Sequence, residues 1–455
     1  MSGLAELMHS RGYEVTGSDL AGGRIVDYLT QLGVTVQIGH NADQVRQADV
    51  VIRSTAIPEE NPELVEARRL DIPVVRRAEM LAEAMRSMKG IAVAGTHGKT
   101  TTTALIAHVL VQAGLDPTAL VGGQLQSPSG RTEGAIIGGG DWFVTEADES
   151  DGSFLELSPC ITVITNIDDD HLDHYGDMQS LEAAFLRFAR NLPFWGLCVL
   201  CSDHSRVRTL ASQVSGRVVK YGTDDGTQNN AELRALDVVP DALGMRFGVE
   251  QGGVSLGEVR LPLPGTHNVA NVLAALAVAL EVGVPFAQAA EAIASFRGVA
   301  RRFEDKGSAG GVRVIDDYGH HPVEVQATLR AARALHAGRI VTLFQPHRFS
   351  RTRDCMNEFS GAFTDCDVLI VTDTYAAGES PIEGAAASDL ARAIQKAGHP
   401  DVRYLDRFAD ILESLPASLA HGDLVLTLGA GDVTQLGPAL LEKLRSASKG
   451  TAEES

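Results

Sequence analysis

The run Gly95-Thr96-His97-Gly98-Lys99-Thr100-Thr101 follows a short apolar stretch, Ile91 to Ala94, and precedes an apolar-periodic segment that reaches Leu110. A strand, a glycine loop and a helix in that order make a phosphate cradle. Glycines let backbone N–H groups close on phosphate oxygens, Lys99 adds a point charge on the outer phosphates, and a threonine hydroxyl can ligate Mg²⁺. The spacing departs from G-x-x-x-x-G-K-[ST] at one place, where Val93 stands at the first glycine. The chemistry expected here is the binding of a nucleoside triphosphate.

Two acidic runs follow further strand candidates. Val144-Thr145 leads into Glu146-Ala147-Asp148-Glu149-Ser150-Asp151, and Val163 to Asn166 leads into Asp168-Asp169-Asp170-His171-Leu172-Asp173. One acidic run alone is ordinarily a solvated loop. Ligands of open α/β sheets, however, sit beyond the carboxyl ends of the strands, and carboxylates there can hold the Mg²⁺ that bridges nucleotide phosphates. Gly265-Thr266-His267-Asn268-Val269-Ala270-Asn271 opens another helix, where it either grips a base or phosphate or simply caps the helix.

Four polar clusters occupy the last third. Asp316-Asp317-Tyr318-Gly319-His320-His321-Pro322, Gln345 to Arg353, Asp373 to Glu379 and Gly429 to Asp432 each follow a strand candidate, which describes the rim of one site. His320 and His321 are adjacent, so in extended chain they face opposite ways and do not chelate one zinc. Arg348 and Arg351 suit a carboxylate or phosphate, which a planar guanidinium binds bidentately. Arg301 and Arg302 fall where a second and a third domain should join, and an arginine there can reach a γ-phosphate when domains close.

The elements that must position these groups alternate strand and helix almost throughout, which implies parallel sheets covered by helices. The expected fold class is α/β with three domains: a Rossmann-like N-terminal domain over 1–88, a central P-loop ATPase domain with a parallel sheet over 89–297, and a Rossmann-like C-terminal domain over 298–455. The length of 455 residues suits three domains of roughly 150 residues. Arg86 to Gly90 reads as the first linker and Ser446 to Ser455 as a disordered polar tail. Ser2 to His9 reads as a helix closed by Gly12 with no strand before it, whereas a doubly wound domain opens with a strand and a Gly-rich turn. The chain therefore reads as starting just after that turn.

With 39 basic and 59 acidic residues the net charge is −20, which argues against a nucleic-acid partner. A local basic cluster still suffices for a small anionic substrate. Of five cysteines, Cys198 and Cys201 form a lone CxxC in an apolar run and read as reduced thiols near a strand. No apolar run approaches the ~18 residues of a membrane span and no signal peptide is visible, so a cytoplasmic location without membrane insertion is expected.

Together these motifs resemble the Mur ligase family of peptidoglycan synthesis, over nearly the whole chain. Ala94 to Thr102 is similar to its ATP loop, the valine at 93 included. The resemblance implies that Glu146 and His171, with Thr100, hold Mg²⁺. It implies that His267, Asn268 and Asn271 contact adenine and that Arg302 contacts phosphate. His97, Asp317 to Pro322, Gln345 to Arg348 and Tyr375 to Glu379 look like the member that joins L-alanine to the lactyl carboxylate of UDP-N-acetylmuramate. A sibling that attaches a murein tripeptide shares the histidine loop and the paired histidines, but there the pair typically follows Phe-Ala, where this chain has Tyr318-Gly319.

The implied reaction passes the γ-phosphoryl group of ATP to the carboxylate, and the amine of L-alanine then attacks the acyl phosphate. Lys99, His171, Arg302, Asp317, His320 and His321 are the catalytic candidates. Tyr318, His347, Arg348 and Arg351 would hold the amino acid, and His320, His321 or His347 would take the amine proton. Asp19, Ser54 and Thr55 would contribute to the UDP-sugar site, of whose Gly-rich loop Met1-Ser2-Gly3 looks like the end. Several siblings carry a carbamylated lysine after the Asp-His-x-Asp motif; Leu181 to Asn191 contains no lysine, so none is expected. A switch that hydrolyses ATP only to signal is the reading from another class, and the four polar clusters argue against it. An inactive truncated fragment is the third.

Overall fold

The structure is a computed structural model. It describes the chain except residues 55–56, 127–131, 224–229, 242–243 and 454–455 and the side chains of 24, 124–126, 132–134, 173 and 447–453. The chain forms two compact units. The first comprises Met1–Asp237, Phe247–Val259 and Val269–Phe296, and the second Val238–Arg246, Arg260–Asn268 and Arg297–Ser455.

The first unit opens with the helix Ser2–Ser10, which buries Leu4, Leu7 and Met8 on one stripe. These residues join Leu81, Ala84 and Met85 and the central phenylalanines Phe143, Phe154 and Phe185 in one core. Strand β1 (Thr16–Asp19) pairs in parallel with β2 (Thr35–Ile38), and β3 (Val51–Arg53) with β4 (Val74–Arg76). These are two separate two-stranded sheets, and among the described residues no strand joins them. The side chains of β1 and β2 are mostly exposed, unlike those of parallel strands covered on both faces.

The central sheet holds β5 (Lys89–Ala94), β6 (Thr118–Gln126), β7 (Thr132–Ile136), β8 (Trp142–Glu146), β9 (Ile161–Ile164), β10 (Leu197–Cys201), β11 (Arg217–Gly222), β12 (Leu233–Asp241), β13 (Gly244–Gln251) and β14 (Val254–Leu261). Their order is β14-β13-β12-β11-β10-β9-β5-β8-β6-β7. Strand β5 lies between β8 and β9 and is parallel to both. Its apolar run Ile91 to Ala94 is wholly buried, as are β9 and β10, which is what cover on both faces requires.

In the second unit β15 (Glu304–Ala309), β16 (Val312–Asp317), β17 (Ile340–Phe344), β18 (Val368–Val371), β19 (Val402–Tyr404) and β20 (Leu424–Leu428) are ordered β15-β16-β20-β17-β18-β19. Only the β15–β16 pair is antiparallel. Successive residues face opposite sides: Phe344 packs with Leu329, Phe359 and Leu390, while Leu343 packs with Ile411 and Leu440.

Three expectations are corrected. Lys89 and Gly90 are strand residues, not linker: the Lys89 amide donates to Asp141 O at 2.7 Å, and a Cβ on Gly90 would stand 2.4 Å from Met85 Sδ. Asp316 and Asp317 are the last residues of β16 and do not follow it. The tail through Glu453 continues the helix Leu436–Glu453, because Leu436, Leu440, Leu441 and Leu444 give it a buried stripe; residues 454–455 lie outside the described residues.

Candidate active site

In the first unit the adjacent parallel strands β8, β5, β9 and β10 bring four carboxyl ends side by side. These ends carry Glu146, the phosphate loop, the segment Thr165 to His171, and His204. The loop passes very close to its neighbours. A Cβ on Gly95 (φ 133°) would lie 2.1 Å from Thr165 Oγ1, and one on Gly98 (φ 83°) 2.7 Å from Asn271 Oδ1, so both positions require glycine. Thr165 Oγ1 and Asn166 Nδ2 donate to His97 O at 2.6 and 3.0 Å, and the His97 amide donates to Asn166 Oδ1 at 2.7 Å. Thr100, Thr101 and Thr102 are buried in the first turn of the helix Lys99–Gln112, and Thr102 Oγ1 donates to Asn271 Oδ1 at 3.1 Å. Asn271 therefore meets the loop, whereas His267 is exposed and Asn268 Nδ2 caps Pro264 O at 2.7 Å.

Lys99 Nζ donates to Gly95 O (2.7 Å), Thr96 O (3.2 Å) and Glu149 Oε1 (2.7 Å), so all three ammonium protons are engaged. Burial disfavours its charge, but the carboxylates of Glu149, Asp148 and Glu146 outweigh that and raise its pKa. Glu149 is 1 % exposed; its second oxygen is buried with no donor among the described residues. The Tyr175 hydroxyl donates to Glu149 O at 2.6 Å and fixes the acidic loop. Glu146 accepts the Gly122 amide at 2.6 Å. His171 caps the helix Leu172–Tyr175 in the left-handed region, with its amide on Asp170 Oδ1 at 2.9 Å.

In the second unit β16, β20, β17 and β18 are neighbours, so the four polar clusters share one rim. Gln345 Nε2 donates to Asp432 Oδ1 at 2.6 Å, and the Arg348 amide to Tyr375 O at 2.9 Å. Ser350 Oγ donates to Glu379 Oε1 at 2.6 Å. Tyr318, His320, His347 and Tyr375 form an aromatic row, with successive centroids 5.3, 5.4 and 5.6 Å apart. Asp317 is buried, and both its oxygens are taken: the amides of Gly319 and Phe303 donate to it at 2.8 Å and Thr328 Oγ1 at 3.0 Å. That makes it a brace for the rim. His321 is buried at the N-cap of the helix Pro322–Leu335, its Nε2 3.9 Å from Cys355 Sγ, while His320 faces Tyr318 and His347.

The two junction arginines differ. Arg301 donates to Gly429 O at 2.5 Å and Gly431 O at 3.0 Å and lies over the Tyr318 ring. Arg302 lies 5.0 Å from the centroid of the same ring and, among the described residues, pairs with Glu324 at 4.0 Å and acts electrostatically on buried Asp317. Arg301→Ala is expected to destabilise the protein by about 2 kcal/mol, the scale of charged hydrogen bonds lost. Arg302→Ala is expected to leave the denaturation midpoint within error and lower turnover. Paired urea titrations and steady-state assays check both.

Burial pushes the His320 imidazole down to about 4, with Arg351 and Arg302 adding to it and Glu324 opposing; burial and the neighbouring His320 and Arg351 push His347 down to about 4. Both rings are neutral at pH 7. Unfolded, they titrate near 6.5, so between about 6.5 and 4 the unfolded chain binds protons that the folded chain does not. Stability therefore falls as pH drops through that window. The His320→Gln variant is expected to lose less stability than the parent between pH 7 and 5, measured by urea midpoints.

The structure places Asp19 at the end of β1 and Ser54 just past β3, on the two separate small sheets; Thr55 lies outside the described residues. Cys198 and Cys201 are buried in β10, and burial pushes both thiols up to about 12, far from a reactive thiolate. Sequence reasoning singled out neither Glu149, as one acid in a run of four, nor His204.

The first unit carries a phosphate loop flanked by acid-bearing strand ends, the mark of a nucleotide-binding domain, and the second carries its own rim of histidines and arginines. The chain belongs to the Mur ligase family: residues 1–89 match "Mur ligase family, catalytic domain", residues 93–279 "Mur ligase middle domain" and residues 301–431 "Mur ligase, glutamate ligase domain". It is 50% identical over 446 residues to the UDP-N-acetylmuramate–L-alanine ligase of Anaeromyxobacter sp. (strain Fw109-5), covering 98% of this chain and 96% of that protein. The enzyme of that name from Geobacter sp. (strain M21) is 49% identical over 99% of this chain and 96% of its own length. Among solved structures, the UDP-N-acetylmuramate–alanine ligase of Thermotoga maritima superposes with a TM-score of 0.83 at 30% identity, covering 98% and 97% of the two chains. A murein peptide ligase from Psychrobacter arcticus shares the fold, with a TM-score of 0.72 at 24% identity over 98% and 96%. No helix among the described residues is long and apolar enough to cross a membrane.

Proposed function

We propose that this protein joins L-alanine to the lactyl carboxylate of UDP-N-acetylmuramate at the expense of ATP, through an acyl phosphate, in cytoplasmic peptidoglycan precursor synthesis. The observation that carries the reaction class is Lys99, a cation held in a buried acidic pocket at the mouth of the glycine loop. The choice of alanine rests on near-full-length likeness to relatives bearing that name. We keep 1–88, 89–297 and 298–455 as the UDP-sugar, ATP and amino-acid domains.

A carboxylate is a poor acyl donor until one oxygen becomes a leaving group. Two anions must then meet, which calls for preorganised positive charge. Nucleotide binding would draw Lys99 from its loop carbonyls to the phosphates, leaving Glu149 as its buried counter-ion. Gly95 to Thr101 supply amides, Asn271 braces the loop through Thr102, His267, Asn268 and Asn271 are assigned to adenine, and Arg302 adds a second cation. The donor set fits a divalent ion. The Thr100 hydroxyl, Glu146 and His171 would hold Mg²⁺, an ion that usually keeps several water and phosphate ligands. When bound, the ion supplies charge neutralisation on the phosphates. Arg348 and Arg351 hold the alanine carboxylate beside Tyr318. His320 and His347, neutral at pH 7, can accept the amine proton; His321, buried in its N-cap, braces the rim with Asp317. Asp19, Ser54 and Thr55 are assigned to the sugar nucleotide.

The test is phosphate release with ATP, UDP-N-acetylmuramate and L-alanine, each omitted in turn. Release is expected only with all three present, and a murein tripeptide is not expected to replace alanine. Release indifferent to the sugar nucleotide or to alanine would sink the reading in favour of a nucleotide switch; release with the tripeptide but not with alanine would favour the sibling that attaches a murein tripeptide.

A further inference from the structure

We propose that His204 is a positioning residue for the phosphate loop, acting through Asp168 on Thr96 and His97. The proposal rests on the reading of that loop as the ATP site.

His204 lies just past β10, whose neighbour β9 is itself the neighbour of β5. It belongs to none of the nucleotide-binding runs. Its Nε2 is 3.0 Å from Asp168 Oδ1. The other oxygen, Oδ2, is 3.5 Å from His97 Nε2 in the loop. The Asp168 amide donates to Thr96 Oγ1 at 2.8 Å. One aspartate thus ties His204 to two consecutive loop residues, by its side chain to one and its main chain to the other. Arg206, two residues on, backs the same segment: Nη2 is 2.9 Å from Asp169 Oδ1, and Nη1 donates to Ile167 O at 3.3 Å.

A carboxylate is planar, so fixing one oxygen aims the other. The terminal torsion of aspartate is broad and roughly two-fold, and it is not held by local sterics. In this structure His204 sets it. Arg206 Nη1 is 3.9 Å from Asp168 Oδ1, close enough to capture the carboxylate if His204 is lost and to turn Oδ2 away from His97. The carboxylate is ionised, because His204, His97 and Arg206 outweigh its burial and lower its pKa. All three side chains are shielded from bulk solvent, with 15–24 % exposed, so the charge-assisted bond is stronger than a neutral one.

The experiment compares His204→Ala and His204→Gln, alone and with Asp168→Asn, in the full-length protein. The KM for each substrate, kcat and the melting temperature are measured. His204→Ala is expected to raise the KM for ATP about tenfold, the scale of one charged hydrogen bond, with little change in kcat or in the KM for the other substrates. His204→Gln carries an amide donor near the Nε2 position and should recover most of the ATP affinity. In the Asp168→Asn background, His204→Ala should add nothing. Unchanged ATP affinity, equal rises for all substrates, failure of Gln to rescue, or additive effects with Asp168→Asn would each overturn the proposal. Lys99→Ala combined with Glu149→Gln, which leaves no unpaired buried carboxylate, is assayed alongside for ATP binding and melting temperature and separates the two failures. If it abolishes binding while His204→Ala does nothing, only this inference falls; if it binds ATP normally, the loop assignment itself falls.

Discussion

Replacing Lys99 with Met is expected to lower turnover by about 10²–10³-fold, the usual cost of removing one preorganised charge from a developing anion, and to destabilise the protein as well. The second effect follows from Glu149. That carboxylate is 1 % exposed, and Lys99 is its partner at 2.7 Å. Removing one member of a buried pair leaves an uncompensated charge, at about 3–5 kcal/mol. The single variant therefore confounds catalysis with folding. Lys99→Met combined with Glu149→Gln separates them: a neutral amide restores the denaturation midpoint, but no cation returns to the phosphates. Steady-state turnover and urea titration of the three variants check this. A double variant with near-parental turnover would remove Lys99 from the chemistry.

Arg348→Ala is expected to raise the KM for L-alanine by about 10²-fold or more, with the KM for ATP and the melting temperature unchanged. Charged hydrogen bonds are worth about 1.5–3 kcal/mol each, and a guanidinium can make two to one carboxylate. The charge of this side chain acts on Glu379 and His347 without a direct bond to either. Among the described residues its guanidinium has no hydrogen-bond or ion-pair partner, while its backbone is already fixed in the left-handed region (φ 68°) by the amide bond to Tyr375 O. Arg351 is less clean to test, because its Nη1 lies 3.5 Å from His347 Nδ1. Lysine at 348 should restore little, since a point charge does not reproduce a planar fork. A KM for alanine within twofold of the parent would return Arg348 to a solvated basic turn.

Much of this was legible because apolar runs of four to six residues ended in polar clusters. Ile340 to Phe344, Val368 to Val371 and Leu424 to Leu428 are strands as expected, and their polar sequels share a rim. Lateral order was not legible. Nothing local says that β5 lies between β8 and β9, yet that order sets the acids of β8 and the Thr165 to His171 segment beside the loop. Long-range partners were equally hidden. Asp317, a catalytic candidate by resemblance, ends β16, and the amides and hydroxyl that its oxygens accept come from as far as 14 residues away. His204 has no local signal, since its partner lies 36 residues back. Strands β12 to β14 could have been read. Gly252-Gly253, both at positive φ, is a hairpin turn between alternating segments, and it went unread beside the stronger motifs. The tail helix was missed because its last eight described residues contain no large apolar side chain and continue the helix from the leucine stripe before them.

The central claim is that the lactyl carboxylate is activated by phosphorylation before alanine attacks. It is tested most directly with UDP-N-acetylmuramate labelled with ¹⁸O in that carboxylate, turned over with ATP and L-alanine. Mass spectrometry of the inorganic phosphate released should find an ¹⁸O atom transferred from the carboxylate, because the acyl C–O bond breaks when the amine displaces phosphate. Unlabelled phosphate accompanying full amide formation would contradict the account.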